Sequence, residues 1–194
     1  MRRSAKLGVP QSVTCVDKSN VLRGCQFFRS IFREIAESYP KIGAKEAYID
    51  AFTMWLVRDP EDLDVVVLPN MFGDIATDLA SVLQGGMGMA ASANLGDKHM
   101  MFEPVHGSSP KHAGKNRVNP IAMLSSLQLM LENLSLRHDD PLLDKYGNIL
   151  QQAISQHLSS DGPKTYDIGG TGTTSEVGDA IADRVRRLLR NDKA

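Results

Sequence analysis

The sequence predicts an α/β layer fold in which strands alternate with helices along the chain. Two patterns support this prediction. Short β-branched runs, of which DVVVL at positions 64–68 is the clearest, are typical of buried strands. Between such runs, apolar residues return at the spacing of amphipathic helices, beginning with Phe27, Phe28, Ile31, Phe32 and Ile35.

The first half of the chain is expected to contain three strands and three helices. Residues 12–16 form a buried strand, with Lys18 at its end. The helix that follows stops at Pro40, and a weak strand at 47–49 leads into a helix that Asp50 opens. The strand at 64–68 then leads into a third helix, whose apolar positions are Ile75, Leu79 and Val82.

In the second half, the glycine-rich segment at 84–96 interrupts the helical period and marks a candidate domain crossing. A polar, turn-rich loop at 103–119 precedes a helix that Asn119 and Pro120 cap and start. Three further elements are predicted: a helix at 142–158, a short strand at 164–168 and a final helix at 177–189 that begins near Thr173 or Thr174.

Composition excludes several classes of protein. With 42% hydrophobic residues, the chain can bury a core, and its formal charge of -1 gives no reason to expect nucleic acid. No apolar run approaches the ~20 residues that a membrane span needs. Cys15 and Cys25 are too few for a disulfide framework and lack zinc-site spacing, which fits a cytoplasmic protein.

Two aspartates near the start of the third predicted helix are candidate metal ligands. Asp74 and Asp78 are four residues apart, so their carboxylates share one helix face, and Asn70 lies one turn earlier. They follow a predicted strand, and ligands of open α/β sheets bind beyond the strand carboxyl ends. The alternative is that Asp74 caps the helix and Asp78 is solvated.

For Lys18 and Asp50, a role in an active site and a purely structural or solvated role are likewise both open. A lysine held near Mg²⁺ or Mn²⁺ and partly desolvated can transfer protons near neutral pH. The alternatives are a surface lysine at a strand end and an aspartate that caps a helix or is solvated.

The loop EPVHGSSPKHAGKNRVNP favours phosphate binding, because it combines small residues, donors from His106 and Ser108 and a cluster of positive charge. The alternative is a solvated basic loop. The GGTGT stretch at Gly169 fails the GxGxxG spacing of a dinucleotide turn, and we interpret it as a flexible lead-in to the last helix.

Five segments in order carry a family resemblance: VTCVDKSNVL, YIDAFTMWLV, DVVVLPNMFGDIATDLASVL, SANLGD and FEPVHGSSPKHAGKNRVNP. Together they resemble the successive motifs of the isopropylmalate, isocitrate, homoisocitrate and tartrate dehydrogenases, from about Gln11 to the last helix. NMFGDI and EPVHGS are most similar to isopropylmalate dehydrogenase. The resemblance implies an isopropylmalate dehydrogenase-like α/β fold of which this chain is the C-terminal half.

The resemblance also implies roles for particular residues. Lys18 matches a lysine that assists proton transfer in the active site of the partner subunit, and Asn20 matches an asparagine near the nicotinamide. Asp50, contributed across a dimer, and Asp74 and Asp78 match the ligands of Mg²⁺ or Mn²⁺. The implied reaction is oxidation of a 2-hydroxy acid followed by loss of its 3-carboxylate as CO₂, with the metal polarising the 2-oxygen and stabilising the enolate.

For the cofactor, the resemblance assigns the adenosine half to His106, Gly107, Ser108, Ser109 and Asn119. Where NAD-using relatives carry an acid for the ribose hydroxyls, this chain has Lys111 and then His112, and Val118 also resembles NADP-type isocitrate enzymes. A lysine and a histidine can pair with a 2′-phosphate, so we predict NADP over NAD. Tyr166 fits a further NADP-type contact, but Gly170 replaces the expected arginine.

By the same resemblance, residues 1–84 belong to the smaller, dimer-forming domain and 85–194 to the larger cofactor domain. The substrate-binding arginines, the catalytic tyrosine and the first strands of the cofactor domain are absent. The opening RRSAKLGVPQ is typical of a helix end and a turn, which indicates a preceding segment.

We therefore expect a half-enzyme that needs a missing N-terminal half and forms a homodimer. Its substrate is a 2-hydroxy dicarboxylic or tricarboxylic acid: isopropylmalate first, isocitrate next, then tartrate or homoisocitrate. A non-catalytic regulatory or structural subunit and a general metal- or nucleotide-binding module are the alternatives.

Overall fold

The computed structural model describes residues 11–191. The chain divides into two compact units between Leu83 and Gln84. Unit 1 alternates strands and helices: β1 (Ser12–Asp17), α1 (Arg23–Glu37), β2 (Gly43–Tyr48), α2 (Ile49–Arg58), β3 (Val65–Val67) and α3 (Asn70–Leu83).

The sheet of unit 1 is parallel, with β1 between β2 and β3. The register pairs Asp17 with Tyr48 and Cys15 with Val67. Because parallel strands end at the same edge, the residues after β1, β2 and β3 gather beyond that edge. The central strand is the most deeply buried, since Thr14, Cys15, Val16 and Asp17 are each at most 3% exposed.

A buried ion pair joins the end of β1 to α1. Arg29 donates from Nε to Asp17 Oδ2 at 2.8 Å and from Nη2 to Asp17 Oδ1 at 2.7 Å, and Nη2 also donates to the Ala47 carbonyl at 3.0 Å. Burial alone would lower the pKa of Arg29, but the hydrogen bond and the charge of Asp17 raise it above its ordinary value. The pair fixes α1 against both β1 and β2.

The core of unit 1 lies between the sheet and the helices α2 and α3. Its buried members are Val16, Ala47, Phe52, Leu56 and Ala76, which are at most 7% exposed. The opposite face of the sheet is covered less completely. An apolar groove of about 400 Å³ lies there between α1 and the strands. Val13, Phe28, Phe32, Ile42 and Val67 are among the side chains that line this groove.

Unit 2 begins with a hairpin and continues with helices. Strand β4 (Ala91–Leu95) pairs antiparallel with β5 (Met100–Pro104), and three helices follow: α4 (Ile121–His138), α5 (Pro141–Leu158) and α6 (Thr174–Asn191). Arg137 near the end of α4 donates to the carbonyls of Gly96 and Lys98 in the hairpin turn, which attaches the turn to the helix.

The core of unit 2 is formed by the three helices. Ile121 of α4, Ala153 and Ile154 of α5, and Val177 and Ile181 of α6 are all at most 8% exposed and form one cluster. Asp140 caps α5 by accepting the Leu142 N–H. At the start of α6, Thr173 and Glu176 exchange hydrogen bonds in a capping box.

The α/β alternation and the helices expected from apolar spacing are confirmed. The clearest strand by composition, 64–68, is the shortest of unit 1, since only Val65–Val67 pairs with β1. The strand expected at 164–168 is wrong: Tyr166–Ile168 is a 3-10 turn, and no strand of the described residues pairs with it. The hairpin of β4 and β5 was not anticipated.

Two further expectations from the sequence concern the GGTGT segment and the residues before Gln11. The GGTGT lead-in to α6 is held by backbone bonds, from Gly170 N–H to the Thr165 carbonyl and from Gly172 N–H to the Lys164 carbonyl. The helix end expected before Gln11 lies outside the described residues. Across 11–191, no helix has the length and apolar character to cross a membrane.

Candidate functional site

Lys18 and Asp50 lie together beyond the carboxyl edge of the unit 1 sheet. Lys18 Nζ is 2.8 Å from Asp50 Oδ2. The Lys18 side chain is 25% exposed, whereas that of Asp50 is 68% exposed. Hydrogen bonding from Lys18 is the main cause that lowers the pKa of Asp50. Asp50 is therefore an open carboxylate that stays ionised, and Lys18 is a paired ammonium rather than an isolated surface lysine.

The strand register explains why these residues meet. Asp17 of β1 pairs with Tyr48 of β2, so Lys18 and the first turn of α2 leave the sheet side by side. Asp50 is the second residue of α2, and among residues 11–191 no side chain caps that helix. Its expected alternative role as a cap is therefore wrong, although a carboxylate in a first turn is favoured by the helix dipole.

Asp17 holds the turn that carries Lys18 and Asn20. Its Oδ1 accepts the Ser19 N–H at 2.7 Å while both of its oxygens bind Arg29. The carbonyl of Lys18 accepts from Val21 N–H and Leu22 N–H, which closes the turn before α1. Asn20 is exposed in this turn.

Asp74 and Asp78 form a second acidic group in unit 1, on α3. The helix begins at Asn70, so Asp74 is its fifth residue and does not cap it. Asn70 Nδ2 donates to Asp74 Oδ2 at 3.3 Å, and both aspartates are exposed. Within 11–191, no three acidic, histidine or cysteine side chains converge to hold a metal ion. One copy of the chain thus offers two separate acidic groups.

Cys15 lies in β1, two residues before Asp17. It is 0% exposed, and burial and then the Asp17 carboxylate raise its pKa to about 11. Its thiol therefore stays protonated, so Cys15 does not present a reactive thiolate at this edge of the sheet.

Unit 2 contains a cavity of about 640 Å³ bounded by the loop that follows β5. Ligand pockets commonly have volumes of this size. Seven of the eight residues expected in a nucleotide loop line it: His106, Gly107, Ser108, Ser109, His112, Val118 and Asn119. The eighth, Lys111, is exposed in the Pro110–His112 turn and is not part of the lining.

Hydrogen bonds to the start of α6 hold this loop in place. The Asn116 carbonyl accepts from Thr174 N–H at 3.0 Å, and Asn116 Oδ1 accepts from Ser175 N–H and Ser175 Oγ. Thr174 Oγ1 donates to the Val118 carbonyl. Asn116 has a positive φ of 48°, a conformation in which asparagine is enriched, so its side chain and its backbone both shape the loop.

Asn119 is a buried residue of the cavity lining and is 6% exposed. Its Oδ1 accepts the Ile121 N–H at 3.0 Å, which satisfies one backbone donor at the start of α4. Its Nδ2 donates to Asp167 Oδ2 at 3.0 Å. Asn119 therefore joins α4 to the Tyr166–Ile168 turn.

His112 and Tyr166 of the cavity lining contact each other, and Arg117, which is not part of the lining, contacts Tyr166. Tyr166 Oη is 3.4 Å from His112 Nε2, and the Arg117 guanidinium carbon lies 4.1 Å from the centre of the Tyr166 ring. Sequence reasoning gave no role to Asn116 or Asp167 and mentioned Arg117 only as part of the positive charge of the loop. Their contacts cross from the loop to the segment after α5, which no local pattern indicates.

Comparisons with known proteins show the family of the chain. A model of the isocitrate/isopropylmalate dehydrogenase family matches residues 3–181. The 3-isopropylmalate/3-methylmalate dehydrogenase of Methanocaldococcus jannaschii is 42% identical over 186 residues, which are 95% of this chain and 54% of that protein. The 3-isopropylmalate dehydrogenase of Methanothermobacter thermautotrophicus is 41% identical, covering 89% of this chain and 50% of its own length.

Solved structures show the same likeness. The isocitrate dehydrogenase of Methylococcus capsulatus superposes with a TM-score of 0.85 at 34% identity, covering 95% of this chain and 53% of that one. An apo β-decarboxylating dehydrogenase of Thermococcus kodakarensis gives a TM-score of 0.84 at 37% identity, covering 100% and 54%. The chain thus spans about half the length of the relatives that it matches.

Proposed function

The chain belongs to the isocitrate/isopropylmalate dehydrogenase family, and on that premise we propose that it is the C-terminal half of a β-decarboxylating dehydrogenase. Its substrate is a 2-hydroxy acid with a 3-carboxylate, with 3-isopropylmalate first and isocitrate second. Unit 1 supplies the proton-transfer lysine and the metal ligands, and unit 2 supplies the nucleotide cavity. The observation that carries the proposal is the 2.8 Å contact between Lys18 and Asp50.

Asp50, Asp74 and Asp78 are the residues that would hold Mg²⁺ or Mn²⁺. They are exposed carboxylates, the ligand type that hard cations prefer, so the donor set fits such an ion. When bound, the cation supplies polarisation of the 2-oxygen and stabilisation of negative charge on it. Since the two acidic groups are separate in one copy, we propose that Lys18 and Asp50 of one copy join Asp74 and Asp78 of another in a homodimer.

Lys18 is placed to move a proton. Its side chain is three-quarters buried and its Nζ is paired with the Asp50 carboxylate, so Asp50 can orient Nζ for proton transfer. The buried Asp17 and Arg29 pair restricts the turn in which Lys18 stands, which keeps the ammonium in position. These are the properties expected of a lysine that protonates or deprotonates a substrate oxygen or carbon.

In unit 2, the cavity fits the adenosine half of NADP or NAD. Gly107 and Gly114 allow close approach to the backbone, and His106, Ser108 and Ser109 offer polar atoms on the lining. We propose NADP as the preferred cofactor, because His112 and Tyr166 stand on the cavity and Lys111 stands in the adjoining turn. Asn20, in the turn after β1, is the proposed contact to the nicotinamide end.

The apolar groove of unit 1 supports the proposal that a further segment completes the fold. A groove lined by Phe28, Phe32 and Ile42 costs free energy when water fills it, roughly 25 cal/mol for each Å² of apolar surface left uncovered. On α1, Phe27 is also 68% exposed. We propose that the N-terminal half of a family subunit supplies the missing cover and the substrate-binding groups.

The test is reconstitution. The 194-residue chain is assayed with 3-isopropylmalate, Mn²⁺ and NADP, alone and mixed with the separately produced N-terminal part of the Methanocaldococcus jannaschii relative. We expect reduced nicotinamide to accumulate only in the mixture. A parallel mixture with Lys18→Met should lose turnover but keep Mn²⁺ and NADP binding.

Three outcomes would contradict parts of the proposal. Full turnover by the chain alone refutes the half-enzyme proposal. Binding of Mn²⁺ and NADP without turnover in every mixture supports a regulatory or structural subunit instead. Faster turnover with NAD than with NADP overturns the cofactor preference.

A further inference from the structure

A pocket of about 510 Å³ lies in unit 1 where α2 ends. Thr14 of β1 and Lys45 of β2, which are partners in the strand register, belong to its lining. Trp55 in the last turn of α2 and Asp62 beyond that helix line the same pocket. Asp50 stands at the other end of α2, on the order of 12 Å away along the helix axis, so the pocket is separate from the carboxyl edge of the sheet.

Thr14 gives this pocket a polar group that needs a partner. It is 3% exposed, and among the described residues its Oγ1 has no hydrogen-bond partner. A buried hydroxyl without a partner costs free energy, and most buried polar groups of native proteins are therefore hydrogen-bonded. Since Thr14 lines the pocket, a ligand bound there can supply the missing partner.

Two opposite charges of the lining are also free. Lys45 and Asp62 are exposed, and across 11–191 their side chains form no ion pair with each other or with another residue. The other charged residues of the lining are already paired: Arg58 with Asp59, and Glu46 with Arg29 and Arg33 of α1. The pocket therefore offers one cation and one anion to a ligand.

Apolar surface is present in the same lining. Trp55 and Leu63 line the pocket and also pack, partly buried, against the core of unit 1. An aromatic side chain such as Trp55 offers a large apolar surface to a ligand. A ligand that matches this lining carries a negative group, a positive group and an apolar body.

We infer that this pocket binds a free α-amino acid with an apolar side chain. Lys45 receives the carboxylate, Asp62 receives the ammonium group, and Trp55 and Leu63 contact the side chain of the ligand. Thr14, which stands beside Lys45 in the register, donates its Oγ1 hydrogen to the same carboxylate. Binding at this pocket requires neither the proposed reaction nor its metal ion and nucleotide.

The test uses tryptophan fluorescence, because Trp55 is the only tryptophan of the chain and lines the pocket. L-Norleucine is titrated into the 194-residue chain. Glycine, hexanoate and pentylamine are titrated separately, since they lack the apolar side chain, the ammonium group and the carboxylate, respectively. Wild type should bind norleucine with a dissociation constant of about 1 mM or lower, the range expected for so small a ligand. Each of the other probes should bind at least about threefold more weakly.

Each charge of the pocket has its own readout. Lys45→Met should remove most of the preference for norleucine over pentylamine, because the carboxylate loses its cation. Asp62→Asn should remove most of the preference for norleucine over hexanoate, because the ammonium group loses its anion. Lys41→Met and Glu61→Gln are the matched controls, since both residues are exposed charges close in sequence that do not line the pocket. They should leave every affinity within about twofold of wild type.

Thr14→Val tests the buried hydroxyl, because valine keeps the shape of the side chain and removes the oxygen. The affinity for norleucine should fall by about three- to tenfold. The urea unfolding midpoint of the ligand-free chain should stay the same or rise, since the substitution removes an unpaired hydroxyl. A lower midpoint with unchanged affinity would assign the hydroxyl to the fold and contradict the inference.

Other results would overturn this assignment. If norleucine changes neither the fluorescence nor the heat measured by calorimetry, the pocket is not an amino-acid site. If Lys41→Met or Glu61→Gln weakens norleucine binding as much as Lys45→Met or Asp62→Asn, general surface charge is responsible and the inference is wrong.

Reconstitution separates this inference from the proposed function. The calorimetric titration is repeated on the mixture with the N-terminal part of the Methanocaldococcus jannaschii relative. If that mixture turns over but no longer binds norleucine, the pocket is a surface that the N-terminal half covers, so the inference fails while the proposed function stands. If the mixture binds norleucine without turnover, the inference is supported and the half-enzyme proposal fails.

Discussion

Asp17 and Arg29 form a bidentate ion pair that is almost completely withdrawn from solvent. The Asp17 side chain is 0% exposed and that of Arg29 is 11% exposed, with contacts of 2.7 and 2.8 Å. Because Asp17 also accepts the Ser19 N–H, the pair connects α1, the end of β1 and the turn that carries Lys18.

Removing Arg29 should destabilise the chain strongly. Arg29→Met leaves the Asp17 carboxylate buried without its partner, a change that typically costs about 3–5 kcal/mol. The measurement is the free energy of unfolding in urea. Arg33→Met is the matched control, since Arg33 is 63% exposed and its ion pair with Glu46 should contribute at most about 1 kcal/mol.

A double variant separates charge from packing in this experiment. Asp17→Asn combined with Arg29→Met buries no unpaired charge, so it should recover part of the loss. If Arg29→Met and the double variant lose the same free energy of unfolding, Arg29 stabilises the fold through packing alone.

Lys18→Met should abolish turnover of the reconstituted enzyme without unfolding the chain. General acid–base groups typically contribute about 10²- to 10⁴-fold, so kcat should fall by at least 100-fold. The unfolding midpoint should change little, because the partner Asp50 is largely exposed. Arg58→Met, which breaks another exposed pair of unit 1, is the control and should leave kcat unchanged. Retention of kcat in Lys18→Met would refute the proposed role.

Gly170→Ala should destabilise unit 2 although it adds only one methyl group. The new Cβ would overlap the Lys164 carbonyl oxygen, so the backbone must shift, and overpacking of this kind costs about 1–3 kcal/mol. Gly178→Ala in α6 is the matched control. A Cβ there meets nothing within 4 Å, and the change should stabilise the helix by about 0.5–1 kcal/mol. The measurement is the thermal unfolding midpoint of both variants. If Gly170→Ala is as stable as Gly178→Ala, the steric argument is contradicted.

The chain should lose stability in mild acid because of His157. This residue is 0% exposed in α5. Burial lowers its pKa, with help from the charges of Arg184 and Lys164, and outweighs the opposing effect of the Pro163 carbonyl. The unfolded chain therefore binds the proton more readily than the folded chain. Above the ordinary histidine pKa of about 6.5, His157 is neutral in both states and causes no loss of stability. As pH falls below that value, protonation of His157 in the unfolded chain lowers the free energy of unfolding.

Urea unfolding midpoints measured between about pH 7.5 and pH 5 test this sign. His157→Gln should flatten the decline, whereas His138→Gln, which removes an exposed histidine from the end of α4, should leave it as in wild type. A midpoint that rises on acidification in wild type would contradict the assignment.

Much of the fold followed from the sequence because its signals are local. Apolar spacing identified the helices, and β-branched runs identified β1 and β3. The hairpin was missed because ASANL and MMFEP lack β-branched residues, so their strand character comes from pairing with each other and from Arg137 holding the turn. The strand expected at 164–168 failed for the converse reason, since β-propensity has no effect without a partner strand.

The sequence by itself determined the residue types of the site: a lysine after a strand, aspartates spaced by one helical turn, and a small, basic loop. Only the tertiary structure decided which of them meet. The parallel register of β1 and β2 brings Lys18 to Asp50, and the turn after α5 brings Tyr166 under Arg117. Such contacts depend on strand pairing and loop closure over long separations, which local periodicity does not encode.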